Sequence, residues 1–269
     1  MRSSFVRGLV TMLATPGVVI AIPSVLAVVW LAAVAVGYQG PFVVLAHAFA
    51  LPPVGTATDV SVAARAFPGA AIAAVGVTIV FRTLVIAAFT GVAVQALRSG
   101  RADRWAWVPA FRSLPAAFAV SLASVSVLFV AQLIGALLGG AGGLGFFLQI
   151  GAFVVGVNAF AYAPAIAATE DRRLIESLSR SWRAARVPGT GGLSLATLYV
   201  LPSLALLLAA PALPGGAVGV NPSTGAWVLV IAVNVLHVSV SAMYAYRYLS
   251  IADRVPEPVP RAVSASRRR

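Results

Sequence analysis

Apolar positions along this chain come in long blocks, and the polar positions gather between them. Uncharged or nearly uncharged runs cover 18–36, 78–97, 114–138, 146–168, 193–213 and 226–246. Each has about the length, close to 20 residues, that crosses a bilayer as a helix. They predict an all-α integral membrane protein with six transmembrane helices. Residues 1–250 form one six-helix domain, and residues 251–269 a disordered Pro- and Arg-rich cytoplasmic tail. The basic start ahead of the first run also fits a signal peptide, but the run is too long for one and further spans follow, so it reads as an uncleaved helix. Within 3–15, Phe5, Leu9, Met12 and Leu13 share one helical side, which predicts a short interfacial helix before Pro16. The longest loop is 39–67. Its Phe42 to Leu51 portion is apolar but too short to cross, and predicts an interfacial or re-entrant piece closed by Pro52 and Pro53. His47 stands there alone, without a second metal ligand nearby in sequence.

The stretch from Glu170 to Gly189 is the one charge-dense run with a helical period. Leu174, Ile175, Leu178, Trp182 and Ala185 recur at three- and four-residue spacing and form an apolar stripe; Arg172, Arg173, Glu176, Arg180 and Arg183 fill the other positions. Thr169 is the expected N-cap, Glu170 and Asp171 the acidic first turn, and Pro188-Gly189 the stop. Glu176 is spaced to pair with both Arg172 and Arg180. Such a basic amphipathic helix between two apolar spans belongs in the membrane interface, stripe toward lipid and arginines at the headgroups.

Inside the spans the polar residues are few. Arg82 lies sixteen positions before Arg98, about 24 Å along a helix at 1.5 Å per residue. That puts it near the outer boundary of a core about 30 Å thick. There it can snorkel; the alternative is an arginine that lines a cavity and binds an anion. Asn234 and His237 read as interhelical hydrogen-bonding groups, and Pro202 as a kink. Trp105 and Trp107 in the basic segment 98–113 are interface anchors. GGAGGLG at 139–145 lacks the Lys-Ser/Thr ending and flanking strand of a phosphate loop, and reads as a tight turn.

Composition sharpens this picture. Only 10% of the 269 residues are charged and the mean hydropathy is +0.96. A soluble domain carries about 25% charged residues, so a soluble globule is excluded. The net charge of +12 rests on 19 basic residues, all arginine, a skew that fits a GC-rich prokaryotic genome. In a soluble protein such a charge suggests nucleic acid. Here the arginines sit in short loops and tails, and the positive-inside rule explains them. Six spans leave Arg65 on one side, with Arg82 at its boundary, and nearly all other arginines on the opposite one. That predicts both termini in the cytoplasm and residence in the plasma membrane. Zero cysteines excludes disulfides and Cys-ligated metal. Around Pro16, Pro115 and Pro188 a basic, anchored segment meets a proline and then an outward span, which predicts three parallel hairpins each led by an interfacial helix.

The segment ESLSRSWRAARVPG, preceded by an acid pair and by a proline near the end of the fourth span, resembles the pattern acid–x–Ala/Ser–Leu–x–x–Ser–Trp–Arg. That pattern belongs to a group of six-span prokaryotic membrane proteins. The group includes YciC-like proteins and the membrane domain attached to some glycerophosphodiester phosphodiesterases. The matching positions are Pro164, Glu170, Glu176, Leu178, Ser181, Trp182 and Arg183, and the resemblance covers most of residues 1–250. It implies a six-helix membrane module with no known chemistry of its own. These residues hold no phosphodiesterase domain, so that activity is not implied.

The expected function is that of a non-enzymatic multi-pass membrane protein, a scaffold or accessory of envelope and lipid processes. No acid lies inside any predicted span, and no cofactor, metal or catalytic set is expected. The candidate functional residues are Arg82, Glu176, Ser181, Trp182 and Arg183. The expected partners are the lipid bilayer and its anionic headgroups, with a membrane-protein partner or a second copy of the chain beside them, and no nucleic acid. The alternative is a transporter or ABC-type permease subunit that moves a lipid or small amphiphile. Ser177-Leu178 and Trp182 stand where a permease coupling loop carries a small-residue pair and a glycine after its Glu.

Overall fold

The computed structural model describes residues 2–38, 42–52, 54–55, 69, 71–137, 142–170, 172–189, 191–209 and 222–257. Among these the chain is all-helical, without a strand. The helices are α1 (Arg2–Leu13), α2 (Pro16–Ala35), α3 (Ala71–Ser99), α4 (Trp107–Leu137), α5 (Gly142–Phe160), α6 (Ala163–Glu170), α7 (Leu174–Ala184), α8 (Gly192–Ala209) and α9 (Thr224–Ile251). Short 3₁₀ turns cover Phe42–His47, Arg104–Ala106 and Ala252–Arg254. Among the described residues five stretches are long and apolar enough to cross a membrane: Pro16–Ala35, Val75–Ser99, Arg104–Ala131, Phe147–Glu170 and Thr224–Arg254. α8 is apolar but shorter in its described part, and the end of the predicted fifth span, from 210 on, lies outside the described residues. So do most of 39–67 with Arg65, the start of the glycine run, Asp171, most of the loop before Thr224, and the tail beyond Glu257.

The boundaries depart from expectation where local chemistry continues a helix. α3 starts earlier than residue 78 because Ala71 to Thr78 is apolar and free of proline, and its single Gly76 is tolerated inside the helix. Pro115 sits inside the continuous α4 rather than at a junction. Its missing N–H costs one intrahelical bond, and a single lost bond does not end a helix packed on neighbours. By contrast Pro16 does open α2, where its missing donor is an orphan anyway.

α9 is the hub. It contacts α1, α2, α3, α6 and the 3₁₀ turn at Phe42–His47, while α4 packs on α3, α5 and α6, and α8 packs on α5. The core is one of aliphatic, alanine and aromatic contacts. Trp30 meets Phe42 edge-on at 4.9 Å between centroids, and Phe42 meets Trp227 at 4.6 Å. Val19, Ile20, Val28 and Leu31 of α2, and Phe129, Val130 and Leu133 of α4, face outward. Apolar exteriors of this kind are what a hydrocarbon solvent permits.

α1 lies on α9 through Gly8 and Met12, whereas Leu13, expected on the same side, points outward. A Cβ at Gly8 would stand 2.6 Å from the Ser239 carbonyl oxygen and 2.9 Å from the Met243 nitrogen. Both are backbone and cannot give way. Gly8→Leu is therefore expected to lift α1 from α9 and to destabilise the protein by about 2 kcal/mol, the scale of an overpacked contact. A lowered melting midpoint in detergent, with α1 newly open to proteolysis, is the readout.

Candidate functional site

Two polar clusters stand out, and the sequence-derived candidates divide between them. The first lies inside the bundle beneath the segment 42–55. Phe42, Ala46, His47, Phe49, Ala50, Leu51 and Val54 are all buried, so this segment enters the bundle instead of lying along its surface. Its backbone polar groups need partners there, and α8 and α9 supply them. The Asn234 side chain accepts from the Phe49 amide at 2.9 Å and donates to the Leu45 carbonyl at 2.8 Å. The Tyr199 hydroxyl accepts from the Leu51 amide at 2.7 Å and lies 2.9 Å from His237 Nδ1.

Arg82 completes this set. It is 2% exposed, and its guanidinium donates to the Ala50 carbonyl at 2.7 Å and the His47 carbonyl at 3.3 Å. The snorkelling geometry is thus corrected. The cationic head turns inward, where carbonyls of the entering segment accept from it. Room for it comes from Gly55, where a Cβ would stand 1.8 Å from the Arg82 NH1. His47 is not alone either. Its ring lies 5.4 Å from that of His237, centroid to centroid. Among the described residues no three His, Cys, Asp or Glu side chains gather as metal ligands.

The second cluster is at the arginine-rich end. The expected N-cap, Thr169, is instead inside α6, its hydroxyl bonded back to the Ala165 carbonyl at 2.8 Å. Glu170 ends α6, and α7 begins at Leu174 with Arg173 in the cap position. α7 is amphipathic as its sequence predicts, and Ile175 is 79% exposed on its outer side with Leu174 and Trp182. The face toward the protein carries the polar Ser177, Arg180 and Ser181 beside Ala184, all buried.

Arg180 is the centre of this cluster. Its guanidinium bonds the Tyr248 hydroxyl at 2.7 Å, the Glu170 carboxylate at 2.9 Å, the Glu257 carboxylate at 2.7 Å and the Ala252 carbonyl at 3.0 Å. Arg172 bonds the same two carboxylates, reaching Glu257 at 2.9 Å, and Tyr248 also donates to Glu170. Glu176, the expected partner of both arginines, is exposed and makes no ion pair among the described residues. Ser181 donates to the Ala159 carbonyl at 2.6 Å and so ties α7 to α5. Trp182 lies 6.4 Å from Phe160 and carries the Arg186 guanidinium 4.4 Å above its ring. Arg183 is half-buried, and its Nε is without a hydrogen bond.

The first residues of the tail are likewise ordered, against expectation. Val255 is buried, and Glu257 holds to Arg172 and Arg180. The hydrogen bond from Arg172, with the Arg180 charge beside it, holds the Glu257 carboxyl below the usual range. The tail contact therefore gains from the ionised form above that range, and forfeits the gain as pH falls through the lowered value. Protection of the Val255 amide, its exchange compared with an unstructured peptide at the same pH, should fall below about pH 4, the ordinary region of a glutamate. In Glu257→Gln the protection should be low and unchanged across the same range.

At the same end, Asp103 accepts from the Trp105 amide at 2.8 Å and the Gln95 side chain at 2.7 Å. These bonds, the amide first, lower its carboxyl. They fix the turn from which Trp105, 55% exposed, and Trp107 project outward, as interface anchors do.

Tyr199, Tyr248 and Glu257 carry much of this geometry and were not among the sequence candidates. Comparison with protein families, with curated proteins and with solved structures finds no match.

Proposed function

We propose that the chain is a non-enzymatic, six-span protein of the cytoplasmic membrane that serves as a scaffold or accessory in envelope and lipid processes. Both termini are cytoplasmic in this reading, and α8 with the residues after it makes the remaining span. Three hairpins follow from this layout, with α1, the Trp105–Trp107 segment and α7 at their cytoplasmic starts. The single observation that carries the reading is the use of the buried polar side chains. Arg82, Asn234 and Tyr199 bond the entering segment, and Arg180 bonds the helix end and the tail. Such groups join elements to one another and hold a shape. The outward stripe of α7 and the exposed tryptophans supply contacts for lipid and anionic headgroups. The resemblance of the Glu170–Arg183 pattern to the six-span group of YciC-like proteins and phosphodiesterase membrane domains supports the same reading.

The alternative, a transporter or permease subunit moving a lipid or small amphiphile, is favoured by one observation, a cavity of about 540 Å³ beside α8 and α9. Gentle solubilisation and mass spectrometry of what co-purifies separate the two. A scaffold brings other membrane proteins or further copies of the chain. A reproducible ATPase subunit would contradict it and favour the permease.

A further inference from the structure

α8 packs on α5, and across the bundle the Tyr199 hydroxyl reaches His237 of α9. Between α8 and α9, with α1 beside them, lies the cavity of about 540 Å³, within the roughly 300–1,000 Å³ typical of small-molecule sites. Phe5 of α1, Leu195, Leu206 and Leu236 give it apolar walls. The wall runs from Leu195 to Leu206, about 16 Å at 1.5 Å per residue. Leu198 and Leu236 stay exposed at its edge, so the cavity opens sideways along the helices.

Its polar part has a definite character. Pro202 lines the cavity and has no N–H, so the Leu198 carbonyl loses the donor that an unbroken helix would give it. The nearby Ser203 hydroxyl does not replace it, because it donates to the Tyr199 carbonyl at 2.8 Å and leaves its oxygen as an acceptor. The Tyr199 hydroxyl is occupied by the Leu51 amide and His237 Nδ1. No other side chain among the described residues donates to Leu198. In hydrocarbon an unmet carbonyl costs on the order of several kcal/mol. The cavity thus offers aliphatic walls, two acceptors and, at its inner end, the Tyr199–His237 pair. His237 Nε2 is buried there without a partner among the described residues, so a group that both donates and accepts, as a hydroxyl does, matches the cavity. Arg82 is turned to the Ala50 and His47 carbonyls, and among the described residues no cationic side chain lines the cavity.

We propose that this cavity holds one aliphatic lipid carrying a free, uncharged hydroxyl, of the diacylglycerol or long-chain alcohol kind. Its chain lies against Phe5, Leu195, Leu206 and Leu236, and its O–H donates to the Leu198 carbonyl or Ser203 oxygen. This rests on the membrane placement proposed above and names the lipid class that placement serves.

The test uses the full chain purified in detergent and two photoactivatable probes with identical tails, a diacylglycerol and its methyl ether. The diacylglycerol should label α8 and α9 about tenfold more strongly, the worth of one net hydrogen bond. Pro202→Ala restores the amide that the Leu198 carbonyl lacks and should level the two probes. Leu198→Trp closes the edge and should depress labelling by both. Equal labelling of the native chain, a preference that survives Pro202→Ala, or crosslinks joining α8 to a second copy would each overturn the proposal. None of these outcomes depends on whether an ATPase co-purifies, so the lipid site and the accessory role fail separately.

Discussion

Arg82→Met is expected to destabilise the protein by about 3 kcal/mol and to release the segment 42–55 from the bundle. The substitution keeps an aliphatic stem of similar length and removes two charge-assisted bonds, to the Ala50 and His47 carbonyls. Each such bond contributes about 1.5–3 kcal/mol, and a buried carbonyl left without a partner costs about 1–3 kcal/mol. Relief from burying a cation offsets part of this, since taking a charge out of water itself costs several kcal/mol. Gly55→Ala tests the same contact from the other side, because its Cβ would occupy the place of the guanidinium. Both variants should speed hydrogen exchange at the Phe49 and Leu51 amides, which Asn234 and Tyr199 otherwise protect. If Arg82→Met melts like the native chain with those amides still protected, the inward role of Arg82 is wrong.

Arg180→Ala should be about as damaging, near 3 kcal/mol, through a different end of the molecule. The side chain is buried and links Glu170, Tyr248, Ala252 and Glu257. Losing one partner of a buried ionic network costs about 3–5 kcal/mol. The lower end applies because Glu257 is 60% exposed and screened by solvent. Arg180→Lys should recover only part of the loss, since an ammonium is a point charge and cannot reproduce the planar fork that serves several acceptors at once. Glu176→Gln should leave the melting midpoint within about 0.5 kcal/mol of native, as for an exposed side chain without a partner. The ordering Arg180→Ala, then Arg180→Lys, then Glu176→Gln is the readout, measured by thermal unfolding in one detergent.

The spans were legible because hydrocarbon selects residues one at a time. A run of uncharged side chains needs no partner to be recognised, and 18–36 or 226–246 could be placed by counting. The burial of Phe42 to Leu51 was half legible, since its length ruled out crossing but could not choose between surface and interior. The partners of Arg82 were not legible. Depth along α3 follows from counting back from Arg98, whereas the Ala50 carbonyl belongs to a segment that returns from another part of the chain. His47 looked isolated because its neighbour His237 is 190 positions away and meets it only when α9 closes over the segment. Glu176 was chosen for Arg180 by local helical spacing. The break between α6 and α7 instead brings Glu170 to the inner face, and α9 delivers Tyr248 and then Glu257. One signal did exist for the inner cluster. Arg82, Asn234 and His237 are polar residues inside predicted spans, and such residues face one another more often than lipid.

The layout of six spans with both ends in the cytoplasm can be tested without background, because the chain contains no cysteine. Ser99, Ser179 and Thr224 are exposed positions at the ends of α3, within α7 and at the start of α9. Each is changed singly to cysteine, and intact cells are treated with a membrane-impermeant thiol reagent before and after permeabilisation. Thr224→Cys should react in intact cells, and Ser99→Cys and Ser179→Cys only once the membrane is opened. Labelling of Ser99→Cys and Ser179→Cys from opposite sides, or of Thr224→Cys from the same side as both, would contradict it.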